Sequence, residues 1–414
     1  MTNGQPNESN YRWYILSLAA LTNTLTVAVQ NMCMPVLFHE IAEQLSLSLE
    51  QLGLIWGIGA LPGIVTILLG GAIGDRFGTK RFLTLACLLV GLAGALRGLS
   101  NNFITLTATV FLFGLLSSAI PINVSKTCSL WFPRRQLGLA NGVISMGMAL
   151  GFMLGSMISA TLLSPWLGSW RRVLLFYGVI AMTLSIPWYL TRPAPGVIDP
   201  TVGATSHPSM RQALRHVARI RKLWWLGLAI LGIGGCIQGM LGYLPTYLKE
   251  LGWPGARADG AAATFHLMSM LFVIPIALWS DQLGSRKNVL LTATLMVTMG
   301  TGLLPIADGL LVWVAVGLAG MVRDGFMAVF LTMIIETEGA GITYAGTAMG
   351  LVMVFAGIGN LLAPPLGNSL AAIAPGLPFT FWAILAMVGF FSLYTIQEGG
   401  AKKASTAPPS EPMG

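Results

Sequence analysis

The sequence predicts an all-α membrane protein: twelve transmembrane helices forming two pseudo-symmetric six-helix bundles. Three observations predict it. Of the 414 residues, 55% are apolar and only 9% charged, against roughly 25% charge in a soluble domain. The apolar residues fall into long runs, each sufficient for a hydrocarbon core about 30 Å thick. And a polar turn in the first half returns in the second, with Asp75 and Asp281 206 residues apart, half the chain, as a duplicated bundle requires.

The runs are 14–38, 52–73, 82–99, 104–128, 138–163 and 173–190, then 223–247, 261–279, 289–306, 310–335, 344–366 and 378–396. They divide the chain into an amino-terminal half (1–191), a linker with an amphipathic helix (192–222), a carboxy-terminal half (223–397) and a tail (398–414) expected to be disordered. With the amino terminus inside, sixteen Lys and Arg fall in inner segments, among them Arg12, Arg76, Lys80, Arg134, Arg219, Lys287 and Lys402, and four in outer loops, Arg171, Arg172, Lys249 and Arg257. That asymmetry places both termini in the cytoplasm of a cell whose inner (plasma) membrane holds the chain. The net charge of +8 is thus a signal of topology, and no folded basic domain offers nucleic acid a surface. The cysteines, Cys33, Cys87, Cys128 and Cys236, all lie in predicted spans without a C-x-x-C pair, so neither a metal nor a disulfide is expected.

The polar turn after span two carries Gly71, Gly74, Asp75, Arg76, Gly78, Lys80 and Arg81. Its copy after span eight keeps Asp281, Gly284, Arg286 and Lys287. The first copy has every specified position of G-x-x-x-D-R-x-G-x-K/R-K/R and resembles the loop between spans two and three of the major facilitator superfamily. Other positions follow the same offset: Gly151 maps onto Gly357, and Gln30 is two residues out of register with Gln238. The resemblance covers nearly the whole chain. It implies a secondary transporter in which two rocking halves expose a central site to each side in turn, and in which Asp75, Arg76, Lys80, Arg81, Asp281, Arg286 and Lys287 gate the cytoplasmic ends.

Span one places Gln30 and Asn31 beyond its middle, after Asn23, Thr24 and Thr26. Amides are costly in lipid, so this face looks inward, either for hydrogen bonds between helices or for contact with a substrate. In the resembling family spans one and seven line the cavity, which brings in Gln238 and Tyr243. Arg97, near the outer end of span three, is expected to snorkel to the headgroups. Lys126 in span four either snorkels inward or offers an ammonium to the cavity. After it come Trp131, Phe132, Pro133, Arg134, Arg135, Gly138, Ala140 and Gly142, a box similar to segments of the anion-carrying branches: nitrate/nitrite porters, cyanate-type permeases and organic anion symporters. In span five Gly147, Gly151, Gly155 and Ser159 repeat every four residues, a small-residue stripe expected to pack against span eight.

In the linker Met210, Leu214, Val217 and Ile220 alternate with basic residues at helical spacing, predicting an amphipathic helix on the inner leaflet. His207 and His216 in it need no chemical role. His266, in span eight, is either a packing residue or a proton-titrating cavity group. Arg323, midway along span ten, cannot snorkel; it binds an anion or forms a structural ion pair. Adjacent helical positions diverge by about 100°, so Asp324 need not pair with it and is either its neutralising neighbour or a proton site. Glu336 and Glu338 are expected at the cytoplasmic exit.

No G-x-x-x-x-G-K-[ST] loop is present, so ATP is not the direct energy source, and no H-E-x-x-H or G-x-S-x-G arrangement marks an enzyme. The expected function is proton-coupled uptake of a small organic or inorganic anion by a monomer without cofactors. Drug or metabolite efflux by proton antiport, and a non-transporting sensor with the same fold, remain the alternatives.

Overall fold

A computed structural model describes residues 6–63, 78–133, 136–192 and 210–396. Among the described residues eleven helices are long and apolar enough to cross a membrane. Span one runs through Pro6–Thr22, a π-helical segment Asn23–Ala28 and Val29–Leu45, stopped by the left-handed Ser46 (φ 52°). Span two opens at Leu49–Ile58 behind a capping box in which Ser48 and Gln51 satisfy each other's backbone N–H groups, and its continuation lies outside the described residues. Then follow span three (Thr79–Gly98), four (Phe103–Trp131), five (Leu137–Leu167), six (Trp170–Leu190), seven (Arg221–Glu250), eight (Gly255–Leu283), nine (Arg286–Ile306), ten (Leu310–Ile335), eleven (Gly341–Ser369) and twelve (Leu377–Tyr394). Gly78 and Gly284, the glycine kept by both copies of the polar turn, both take positive φ, 78° and 62°, which a side chain would oppose.

Spans four, six and ten are not the continuous helices the apolar runs predict. Span four breaks between Phe103–Ser117 and Ile120–Trp131, span six between Trp170–Thr183 and Ser185–Leu190, and span ten between Leu310–Met321 and Arg323–Ile335. In span four Pro121 supplies no N–H, and the Ser118 hydroxyl turns back onto the Gly114 carbonyl at 2.5 Å, which the Ser118 N–H also reaches at 3.2 Å. In span ten the Asp324 N–H leaves the helix ladder for Ser269 Oγ of span eight at 3.2 Å. The breaks in spans four and ten border the space between the halves.

The small-residue stripe of span five packs on span one, correcting the expectation of span eight. A Cβ at Gly151 would meet Ala28 Cβ at 2.6 Å and the Thr24 carbonyl oxygen at 2.7 Å, and the Thr24 hydroxyl reaches the Gly147 carbonyl at 2.7 Å. Span eight takes another face of span five, through Phe152 and His266. The linker segment docks on the carboxy-terminal half. Met210–Val217 is helical, with Ala213 and Val217 buried and Leu214 exposed. His216 stacks on Tyr344 at 4.4 Å and its Nε2 lies 2.8 Å from the Gly339 carbonyl, so the linker is docked on the start of span eleven and His216 has a structural task.

Among the described residues, the halves share hydrogen bonds at the end far from the chain termini. There Trp56 Nε1 donates to the Gln238 carbonyl at 2.8 Å, Asn368 Nδ2 to the Leu49 carbonyl at 2.7 Å, and Lys249 Nζ to the Val36 carbonyl at 2.9 Å. Asp259, 1% exposed, accepts from Thr161 at 2.8 Å and pairs with Lys249 at 2.8 Å. Spans two and eleven meet backbone to backbone at Gly57 and Leu361.

Candidate binding cavity between the two halves

Beneath this closed end lies a cavity of about 260 Å³. Spans one, two and four contribute Asn31, Trp56, Ser117 and Ser118, while spans seven, ten and eleven contribute Gln238, Arg323 and Asn360. Its apolar wall includes Met32, Met34, Phe38, Ile55 and Phe113. Two guanidinium groups line it, Arg97 and Arg323, and no carboxylate among the described residues does. At about 260 Å³ it is smaller than the 300–1,000 Å³ usual for drug-sized ligands.

Arg323 reaches the cavity because it is the first residue after the break in span ten. Its Nη1 donates to Asp324 at 2.7 Å and its guanidinium lies 5.4 Å from the Phe152 ring centre. The two neighbours pair, one of the two alternatives the sequence left open for Asp324. Asp324 itself is not among the lining residues. His266 lies against the same ring: it is 1% exposed, 5.2 Å from Phe152, and neither of its nitrogens has a hydrogen-bond partner among the described residues.

Arg97 corrects the expectation of snorkelling. It is 1% exposed, donating from Nη1 to the Gln30 carbonyl at 2.9 Å, from Nη2 to Gln30 Oε1 at 3.2 Å and from Nε to the Gly94 carbonyl at 3.4 Å. Its guanidinium stacks 3.9 Å from the Phe113 ring centre. These contacts replace the water that snorkelling would supply, which lets a charge stay at this depth. A signal was present in the sequence: Gly94 and Arg97 share a helix face, and the missing side chain at Gly94 makes room for the Gln30 amide, whose oxygen would lie 2.0 Å from a Cβ there.

Other candidates are distributed unevenly. Asn31 and Gln238 line the cavity; fully buried Gln30 instead holds Arg97. Lys126 is half-buried and not among the lining residues. Tyr243 belongs to an aromatic cluster with Tyr247, Phe379 and Trp382, its hydroxyl donating to the Pro375 carbonyl at 3.3 Å. Five helical positions turn it about 140° from Gln238, away from the cavity.

Three of the gating candidates make contacts within their own half. Lys80 Nζ donates to the Thr191 carbonyl at 2.5 Å and lies 5.9 Å from the Tyr189 ring, tying span three to span six. Lys287 repeats this between spans nine and twelve, donating to the Tyr394 carbonyl at 2.7 Å and lying 5.3 Å from its ring. Arg286 forks onto Glu336 through Nε at 3.1 Å and Nη2 at 3.2 Å. Arg81 is exposed. Asp281 is placed by its backbone in the last turn of span eight. Asp75, Arg76, Arg134, Arg135, His207 and the tail lie outside the described residues.

The family model of the Major Facilitator Superfamily matches residues 16–335. The chain belongs to that superfamily. It is a multi-pass membrane transporter, not an enzyme. Among its relatives, a probable nitrate/nitrite antiporter NarK1 of Thermus thermophilus is 26% identical over 92% of this chain and 91% of its own length. A probable sulfoacetate transporter SauU of Cupriavidus necator is 22% identical over 86% of each. Of the solved structures, the nucleoside transporter NupG superposes with a TM-score of 0.77 at 13% identity, covering 92% of this chain and 99% of that one, a likeness of fold alone.

Proposed function

We propose that this superfamily member carries a small anion across the plasma membrane by alternating access, as a monomer with both termini in the cytoplasm. One observation carries the reading: Arg323, from one half, lines a cavity between the halves that no carboxylate among the described residues lines. A desolvated guanidinium attracts a negative ligand and offers it forked donors. The names of the relatives, nitrate/nitrite and sulfoacetate transporters, support an anionic cargo. In the orientation assigned by the Lys and Arg distribution, the closed far end is the outer one and the cavity belongs to an inward-facing state.

Uptake is coupled to protons through Asp324, with His266 beside it. An ionised Asp324 occupies Arg323 and so competes with the cargo. A proton on that carboxyl removes the competitor, so proton and anion each favour the other's binding.

Counterflow in proteoliposomes of nitrate, acetate and succinate tests this. Arg323→Gln is expected to raise the half-saturation concentration of the transported anion about tenfold to a hundredfold, the loss of one charge-assisted contact. Normal uptake with a lowered thermal midpoint would make Arg323 a structural residue.

A further inference from the structure

We propose that the cargo is a small hydroxy acid. Arg323 binds its carboxylate, and the carboxamides of the cavity receive at least one hydroxyl beside it. This deepens, and rests on, the reading of the cavity as an anion site.

Three carboxamides line the cavity: Asn31 of span one, Gln238 of span seven and Asn360 of span eleven. Each is half-buried, and none of these side chains has a hydrogen-bond partner among the described residues. Carboxamides that serve the fold are bonded. Gln30 donates to the Thr26 carbonyl at 3.2 Å, Asn123 to the Ala119 carbonyl at 2.9 Å and Asn368 to the Leu49 carbonyl at 2.7 Å. Two of the three unbonded ones are brought together by a glycine. A Cβ at Gly234 would lie 3.2 Å from Asn360 Oδ1, so the missing side chain lets the Asn360 amide rest against span seven, one turn from Gln238 on the same helix face.

Their chemistry differs from that of the arginine. A guanidinium only donates, whereas each carboxamide offers two N–H donors and an accepting oxygen. Ser118 and Ser117, also in the lining, donate to the Gly114 carbonyl at 2.5 and 3.5 Å, which leaves their oxygens as further acceptors. An ion that only accepts, such as nitrate or a plain carboxylate, occupies Arg323 and the amide N–H groups but gives those oxygens nothing. Once the cavity closes and water leaves, each oxygen then bears its desolvation uncompensated. A hydroxyl on the cargo donates to one such oxygen and accepts from a neighbouring N–H, so an acid that carries one satisfies both kinds of group. The cavity of about 260 Å³, below the range usual for drug-sized ligands, keeps the carbon skeleton short.

The test measures binding by the purified full-length chain in nanodiscs with four probes: lactate, propionate, which lacks only the hydroxyl, propane-1,2-diol, which lacks the charge, and nitrate. Lactate is expected to bind at least about tenfold more tightly than each of the others. Gln238→Leu and Asn360→Leu are each expected to weaken lactate more than propionate and bring the two within about threefold of each other. Propionate or nitrate binding the unaltered chain as tightly as lactate would overturn the hydroxy acid and leave the anion reading standing. A full lactate preference in both variants would remove the carboxamides from recognition. Propane-1,2-diol binding as tightly as lactate, or no probe binding at all, would bring down the anion reading and the hydroxy acid with it.

Discussion

Replacing Asp259 with Asn is expected to loosen the closed far end and slow uptake about tenfold. The carboxylate is 1% exposed, holds Lys249 of its own half at 2.8 Å and accepts from Thr161 of the other at 2.8 Å. Lys249 in turn donates to the Val36 carbonyl of span one at 2.9 Å. One ion pair of the carboxy-terminal half thus grips two helices of the amino-terminal half, contacts that parting of the halves at this end would break. Removing one partner of a buried pair costs about 3–5 kcal/mol, chiefly because the remaining charge is stranded. The ammonium, with 13% of its side chain exposed, regains water when the far end opens, so the loss falls mostly on the closed state. Reactivity of Asn31→Cys, a cavity position, toward an impermeant thiol reagent added outside checks this against the same cysteine in the unaltered background. Equal labelling of the two would remove the latch from the mechanism.

Gly57→Val is expected to stop transport, a fall of at least about a hundredfold, by preventing the same closure through sterics. A Cβ at Gly57 would lie 2.4 Å from the Leu361 carbonyl oxygen, a backbone atom that cannot swing aside. Overpacking of this kind costs about 1–3 kcal/mol or more, and spans two and eleven must part for the added carbon to fit. Gly142→Ala is the matched control, since nothing lies within 4 Å of a Cβ there, and it should transport normally. Uptake by Gly57→Val at more than a tenth of the unaltered rate would show that close approach of these spans is dispensable. A monodisperse preparation with a normal thermal midpoint separates blocked closure from misfolding.

Where the sequence was legible, it was through constraints that act residue by residue. Hydropathy counts carbon against charge over one helix length, so the long runs emerged without knowledge of their neighbours. The paired turns were legible because Gly78 and Gly284 need a backbone conformation that few residues tolerate. The same logic singled out Arg323, whose charge no mid-span position can leave in lipid. Arg97 was misread because position along a helix says nothing about azimuth. Two residues from the end of its span it had a route to the headgroups, and only the Gln30 side chain and the Phe113 ring, from spans one and four, make burial the better solution.

The spans, the twofold plan and the presence of a charge that lipid would not accept were therefore legible in the sequence alone, because each follows from what the chain itself carries along its length. Which helix the glycine stripe of span five touches, where spans four and ten break, and that Arg97 faces the cavity while Tyr243 turns from it were decided by tertiary structure. Those outcomes depend on which side chains from distant segments arrive together, and a buried polar group takes its meaning from the partner it meets there.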